Sequence, residues 1–281
     1  MPEYIELAFN QPMSRISSTY QTLKRHNRTA LVTFVTAGDP DPAATPDIMH
    51  ALVRHGADLL ELGVPFADPM ADGPTIRRAH ERALAQGVAL PDVLEMVTRF
   101  RQTDSHTPVL LMGYLNSIEA FGYETFAEQA AAAGVDGVII ADLPPEEAPL
   151  LNRQLRAQAI DQIFLVTPVT SAPRIETIAG LASGFLYYVS VTGTTGGKRP
   201  DTQAVARKLH SLRAVTELPL AVGFGITDAA TAAQLAPHGD AVIIGSALVE
   251  RIHDAAQAGA DLHAGIGAFM APLRAALDEA A

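Results

Sequence analysis

Short runs of uninterrupted apolar residues alternate along this chain with longer stretches in which apolar positions recur every three or four residues. The short runs are Leu31–Val35, Ala57–Leu62, Val109–Met112, Gly137–Ala141, Ile163–Val166, Phe185–Val189, Leu220–Val222 and Ala241–Ile244. Continuous apolar character over so few residues is how parallel strands read when both of their faces are covered. Between them, helical stretches are predicted at Ala44–His55, Asp92–Arg101, Tyr123–Ala133, Glu146–Gln158, Ala172–Leu181, Thr202–Ala214 and Asp228–Ala236, with His263–Ala280 closing the chain. Met13–His26 precedes the first strand, and Thr75–Gln86 reads as an additional helix after the second. Eight βα units most simply close on themselves, whereas a doubly wound sheet usually has fewer strands and a switch in their order. The predicted fold class is therefore α/β, a single eight-stranded parallel βα (TIM) barrel with an extra N-terminal helix and an extra helix after the second-strand loop. No low-complexity linker or charge block divides the chain, so residues 1–281 are expected to form one domain. Residues 1–12 form an extension whose sequence suggests no role.

Composition narrows the function. With 281 residues, 48% of them hydrophobic, the chain can bury a large core. Its net charge of −11 and lack of a basic stripe exclude the usual electrostatics of nucleic-acid binding. There is no cysteine, which removes disulfides, thiolate nucleophiles and zinc–thiolate sites, and fits a reducing cytoplasm. No apolar run reaches the roughly 18 to 20 residues that span a bilayer. The N-terminus carries Glu3 and Glu6 in place of a basic segment followed by an apolar one. A soluble cytoplasmic protein without nucleic-acid or membrane partners is expected.

The densest candidate chemistry lies after the second strand. Glu61 ends an apolar run, where a carboxylate loses solvation, and Asp72 follows in the loop Gly63-Val-Pro-Phe-Ala-Asp-Pro-Met-Ala-Asp-Gly-Pro74. Asp-Gly-Pro is ordinary turn chemistry, but two prolines and an Asp-Pro step stiffen this loop enough to hold both carboxylates over one cavity. A second constellation is glycine-rich: Gly193-Thr-Thr-Gly-Gly197 after strand six, Gly223-Phe-Gly225 after strand seven, and Gly245-Ser246 after strand eight. Each glycine alone would only permit a tight turn. Three such loops at successive strand ends can turn backbone N–H groups, and the start of a short helix at Ser246, toward one anion. Gly196, Gly225, Gly245 and Ser246 are therefore the candidate phosphate contacts. The Gly-Gly-Lys-Arg run is no P-loop: Gly193 stands one position too close to Lys198, and Arg199 replaces the hydroxyl residue.

Other chemistries find no residues. Lys24, Lys198 and Lys208 are the only lysines and none lies in a strand, so a Schiff-base aldolase lacks its nucleophile. The nine histidines are scattered; His80-Glu81 lacks the second histidine of a metalloprotease helix, and His50 and His55 fall on different helix faces. No Gly-x-Ser-x-Gly elbow is present. Neither metal nor cofactor is expected.

The string Glu61-Leu-Gly-Val-Pro-Phe-Ala-Asp-Pro-Met-Ala-Asp-Gly-Pro-Thr-Ile76 resembles the signature of the tryptophan synthase alpha chain family. Further resemblances follow in order: Phe34-Val-Thr-Ala-Gly-Asp-Pro40, Leu111-Met-Gly-Tyr-Leu-Asn116, Gly134-Val-Asp-Gly-Val-Ile-Ile-Ala-Asp-Leu-Pro144, Tyr188-Val-Ser-Val-Thr-Gly-Thr-Thr-Gly196 and Gly223-Phe-Gly-Ile226. The departures are small: Leu115 stands where a second aromatic is frequent, and Met70 where leucine is common. The resemblance implies a βα barrel that cleaves indole-3-glycerol phosphate to indole and glyceraldehyde 3-phosphate, the indole passing to a beta chain in an alpha2beta2 tetramer. It makes Glu61 the acid/base at indole C3 and the glycerol hydroxyl, and Asp72 the acceptor of the indole N–H. It places Phe34, Met112, Ile139, Leu165, Tyr187 and Phe224 around the indole, and brings Thr195 to Asp72 when the glycine-rich loop closes over substrate. Any one of these apolar residues could equally be core. Alternatives are a free-standing lyase on the same substrate, separable by the activity of the chain alone, and a non-catalytic activating subunit, against which the pairing of Glu61 with Asp72 speaks.

Overall fold

The strand pattern closes on itself. In the computed structural model, which describes residues 14–189, 201–223 and 225–280, eight parallel strands pair in chain order and the last returns to the first. They are β1 Ala30–Thr36, β2 Leu59–Gly63, β3 Val109–Gly113, β4 Gly137–Ile140, β5 Asp161–Val166, β6 Leu186–Val189, β7 Leu220–Gly223 and β8 Ala241–Ile244. Alternation within each strand sorts its side chains into two apolar layers. In β1, Ala30, Val32 and Phe34 point into the barrel, while Leu31 and Val35 pack under the outer helices. The register carries this inward set around the ring, with Phe34 opposite Glu61 and Glu61 opposite Leu110. Glu61 is thus an inward-facing strand residue, in the same layer as apolar neighbours.

Among the described residues the helices are α1 Arg15–Arg25, α2 Thr45–Arg54, α3 Pro74–Ala85, α4 Leu90–Arg101, α5 Leu115–Phe121, α6 Tyr123–Ala133, α7 Pro149–Ala157, α8 Ala172–Leu181, α9 Thr202–Arg213, α10 Ala229–Leu235, α11 Ser246–Gln257 and α12 Leu262–Glu279. Both expected extra helices are present as α1 and α3. Two details differ from the sequence pattern. The short α5 follows β3 where no helix was expected, and the helix that opens at Ser246 runs for twelve residues rather than stopping after Val249. β8 is therefore followed by two helices, α11 and α12.

α1 closes the barrel at the N-terminal ends of the strands. Ser14 caps it by accepting from the Ser17 N–H, and its hydroxyl donates to Asp161 at 2.8 Å. Ile16, Tyr20 and Leu23 recur at helical spacing and enter the inner cluster, Tyr20 lying against Phe185 with ring centroids 5.8 Å apart. Ion pairs ring the same end. Asp136 receives Arg15 at 2.7 Å and Arg101 at 2.6 Å, and Asp58 receives Arg274 at 3.1 Å. With that mouth filled, the remaining opening is at the C-terminal ends, where barrels carry chemistry.

Candidate active site

Glu61 enters the site from the middle of β2 and is 1% exposed. Among the described residues neither of its carboxyl oxygens has a hydrogen-bond partner. A carboxylate in that setting loses hydration without compensation, so burial first, and the negative Asp72 second, push its pKa up from 4.5 to about 8. At neutral pH it is a carboxylic acid that holds a proton and presents it to the cavity.

Asp72 is placed differently. Its loop leaves β2 with Val64 N–H donating to Met112 O at 2.8 Å and turns through Asp72 N–H to Pro69 O at 3.0 Å. Pro74 then starts α3. Tyr114, at the end of β3, holds the turn on two atoms: its hydroxyl accepts from Ala71 N–H at 3.1 Å and donates to Asp72 Oδ2 at 2.7 Å. Its ring stacks on Phe66 at 5.0 Å between centroids. Burial and the neighbouring Asp72 raise the Tyr114 pKa, which keeps the donor proton in place. His80, 3% exposed on α3, adds a third contact: Nε2 lies 3.4 Å from Asp72 Oδ2, while Nδ1 accepts from Phe66 N–H at 3.2 Å. The two carboxyl groups thus have opposite surroundings, one bare and protonated, the other 7% exposed and held by donors.

One cavity joins them. Glu61 and Asp72 line it together with Phe34, Met112, Tyr187, Gly225, Gly245 and Ser246. The ring of Phe34 occupies space that a Cβ on Gly63 would invade at 2.5 Å, and Tyr187 lies where a side chain on Gly223 would sit. Burial, with Glu61 and Asp72 adding to it, keeps the Tyr187 phenol protonated. Gly225 adopts φ +77°, and Gly245 caps α11 without a side-chain hydrogen bond, so the first N–H groups of that twelve-residue helix face the cavity end lined by Ser246 and Ala247.

Of the residues expected from sequence, eight meet at this cavity: Glu61, Asp72, Phe34, Met112, Tyr187, Gly225, Gly245 and Ser246. Ile139 is buried in the inner cluster opposite Met112, and Leu165 packs against that cluster opposite Tyr187. Thr195, Gly196 and Phe224 lie outside the described residues, as does the loop expected to close over substrate. Sequence reading missed Ile76, Ile226, Thr227, Ile243 and Ala247 in the lining, and the support of Asp72 by Tyr114 and His80. The apolar residues follow βα barrel periodicity and could have been found by it; the link from residue 72 to residue 114 spans two elements and leaves no local signal. Among the described residues no cluster of three or more histidine or acidic side chains could hold a metal, and no helix is long and apolar enough to cross a membrane.

The profile of the family described as tryptophan synthase alpha chain matches residues 20–277. The chain is 53% identical to the tryptophan synthase alpha chain of Dechloromonas aromatica over 267 residues, covering 95% of this chain and 99% of that protein. With the corresponding chain of Nitrosococcus oceani it is 51% identical, covering 95% and 98%. The crystal structure of tryptophan synthase subunit alpha from Legionella pneumophila superposes with a TM-score of 0.90 at 46% identity, over 95% of this chain and all of that one. A structure of tryptophan synthase from Mycobacterium tuberculosis gives a TM-score of 0.86 at 34% identity, over 95% of this chain and 99% of that chain.

Proposed function

We propose that this chain, which belongs to the tryptophan synthase alpha chain family, performs that family's lyase reaction with Glu61 as its proton carrier and Asp72 as its electrostatic anchor. The reaction cleaves indole-3-glycerol phosphate to indole and glyceraldehyde 3-phosphate. The observation that carries the assignment of roles is the contrast between the two carboxyl groups: among the described residues the Glu61 acid is unpartnered and inward, and Asp72 is held by the Tyr114 hydroxyl with His80 Nε2 3.4 Å away.

Glu61 gives its proton to indole C3, which makes the ring an indoleninium with positive charge spread to its nitrogen. Asp72 accepts the ring N–H bond and stabilises that charge, a contact that strengthens as the charge develops. The bond between C3 and the glycerol carbon then breaks: its electron pair returns to the ring, while the adjacent hydroxyl becomes the aldehyde carbonyl. The Glu61 carboxylate takes the hydroxyl proton, so the proton count closes on one residue. Phe34, Met112 and Tyr187 supply apolar walls for the indole, with Ile139 and Leu165 behind or beside them. Gly196, Gly225, Gly245 and Ser246 bind the phosphate through backbone N–H groups and the α11 terminus. The family resemblance assigns Thr195 as a further partner of Asp72.

The family associates with a beta chain, and we place this chain in an alpha2beta2 tetramer in the cytoplasm. Met70 is 70% exposed on the same stiff loop as Asp72, which supports that loop as a partner contact. Binding there orders the loop and with it the carboxylate. The test is indole release from indole-3-glycerol phosphate by the purified chain, with and without a beta chain. A rise in rate on complex formation is expected. Equal rates with a beta chain that demonstrably binds would favour a free-standing lyase instead.

A further inference from the structure

His80 is a buried titratable side chain that the reaction as written does not use. It is 3% exposed on the second turn of α3, a helix otherwise turned to the barrel by Ile76, Ala79 and Ala83. An imidazole buried on an apolar face normally needs two partners, and this one has them at opposite edges of one loop. Nδ1 accepts the N–H of Phe66 at 3.2 Å. That bond leaves the ring proton on Nε2, which faces Asp72 Oδ2 at 3.4 Å. The ring is therefore a rigid strut between residue 66 at the start of the acidic loop and the carboxylate of residue 72 near its end.

We propose that His80 is a positioning residue for the lyase reaction, holding the Asp72 carboxylate in the orientation that meets the indole N–H. This inference rests on the assignment of Asp72 given above. Tyr114 also donates to Oδ2, at 2.7 Å. The Tyr114 hydrogen bond and the 3.4 Å approach of His80 Nε2 converge on one oxygen and leave Oδ1 as the side of the carboxylate turned to substrate. Tyr114 alone fixes the distance of that oxygen from β3 but leaves the carboxyl plane able to rotate about it; the second donor, arriving from α3, stops that rotation. Asp39 and Arg82 brace the same helix two residues further along, paired at 2.7 and 2.8 Å, so α3 is a fixed base for the strut.

The role makes a prediction that a packing role does not. His80→Leu fills the volume but removes both polar contacts; His80→Gln can place its amide N–H near Nε2; His80→Asn keeps an acceptor near Nδ1 but is too short to reach Asp72. With the full chain and a beta chain, steady-state indole release is measured for each, alone and combined with Asp72→Asn, alongside thermal unfolding. We expect His80→Leu and His80→Asn to lower kcat about tenfold with KM changed less than about twofold, and His80→Gln to recover most of the loss, since misorientation of a transition-state contact acts on kcat. In the Asp72→Asn background the same substitutions should change kcat less than about twofold, because there is no longer a charge to orient. If His80→Leu does not fold, the Asn and Gln pair carries the comparison. An unchanged kcat in the His80 variants, a loss that persists undiminished beside Asp72→Asn, or failure of Gln to rescue Asn would overturn the proposal. A near-normal rate for Asp72→Asn by itself would instead overturn the assignment of Asp72.

Discussion

A carboxyl group with two bare oxygens inside a barrel is tolerated only in its neutral form, and Glu61 is that group. Its native pKa of about 8 against an ordinary 4.5 means that the folded chain binds the proton more tightly than the unfolded one. Unfolding therefore releases a proton between these values, and the stability Glu61 contributes below pH 4.5 is lost as pH rises toward 8. Glu61→Gln, neutral at every pH, should match wild type near pH 4 and exceed it at pH 8 by an amount on the order of 5 kcal/mol at most. Denaturant unfolding at several pH values checks this, and a stability difference that does not grow with pH would contradict a raised pKa. Because the proposed cycle starts with protonated Glu61, kcat/KM should fall as pH rises through about 8. Asp72→Asn removes the charge facing the ring and should cost about 10² to 10³ in kcat, comparable to deleting one preorganised electrostatic contact. At this scale the sequence was informative where chemistry is local: Glu61 and Asp72 stand eleven residues apart in one string. It was silent on Tyr114 and His80. His80 was read only against metal-binding spacing, and nothing along the chain says that its ring meets a loop eight residues earlier.

At the scale of elements, strand positions were legible because burial on both faces makes each strand a solid apolar run, and their ends shifted by only a residue or two. β2, for instance, starts at Leu59 rather than Ala57 and includes Gly63. Helix α5 was not legible because it is only seven residues long: Leu115, Ile118 and Phe121 recur three apart and pack on the core, but two turns are too short for that period to stand out. The full length of α11 was hidden because beyond Val249 its only buried side chain is Ile252, too little apolar signal to extend the helix to Gln257. α1 gives a stability test at the end opposite the chemistry. Ile16→Ala should destabilise the chain by about 3 kcal/mol, the usual cost of a cavity in a closed core, while leaving kcat unchanged; denaturant midpoints and indole release measure the two. At the other end, Gly245→Val should push against Phe34, already 3.4 Å from a Cβ there, and raise KM by about tenfold or more. Ser246→Ala should have a smaller effect, because it removes one hydroxyl among several backbone donors.

For the molecule as a whole, one end of the barrel is sealed for stability and the other is kept open for chemistry and for a partner. The closed end uses α1 and the ion pairs of Asp136 and Asp58; the open end spends burial on an acid whose oxygens have no hydrogen-bond partner among the described residues. Met70, exposed on the loop that carries Asp72, is the beta chain contact we propose. Met70→Asp should therefore reduce the rise in lyase rate caused by a beta chain, with the rate of the isolated chain nearly unchanged, as titration of the two chains against indole release would show. The measurement closest to the central claim is the rate of indole release from indole-3-glycerol phosphate by Glu61→Gln in complex with a beta chain. The amide keeps the volume of the side chain and cannot carry the proton. A fall of at least about 10²-fold with folding preserved is the result expected of a residue that supplies the proton to C3 and takes it back from the hydroxyl; a rate near that of wild type would contradict it.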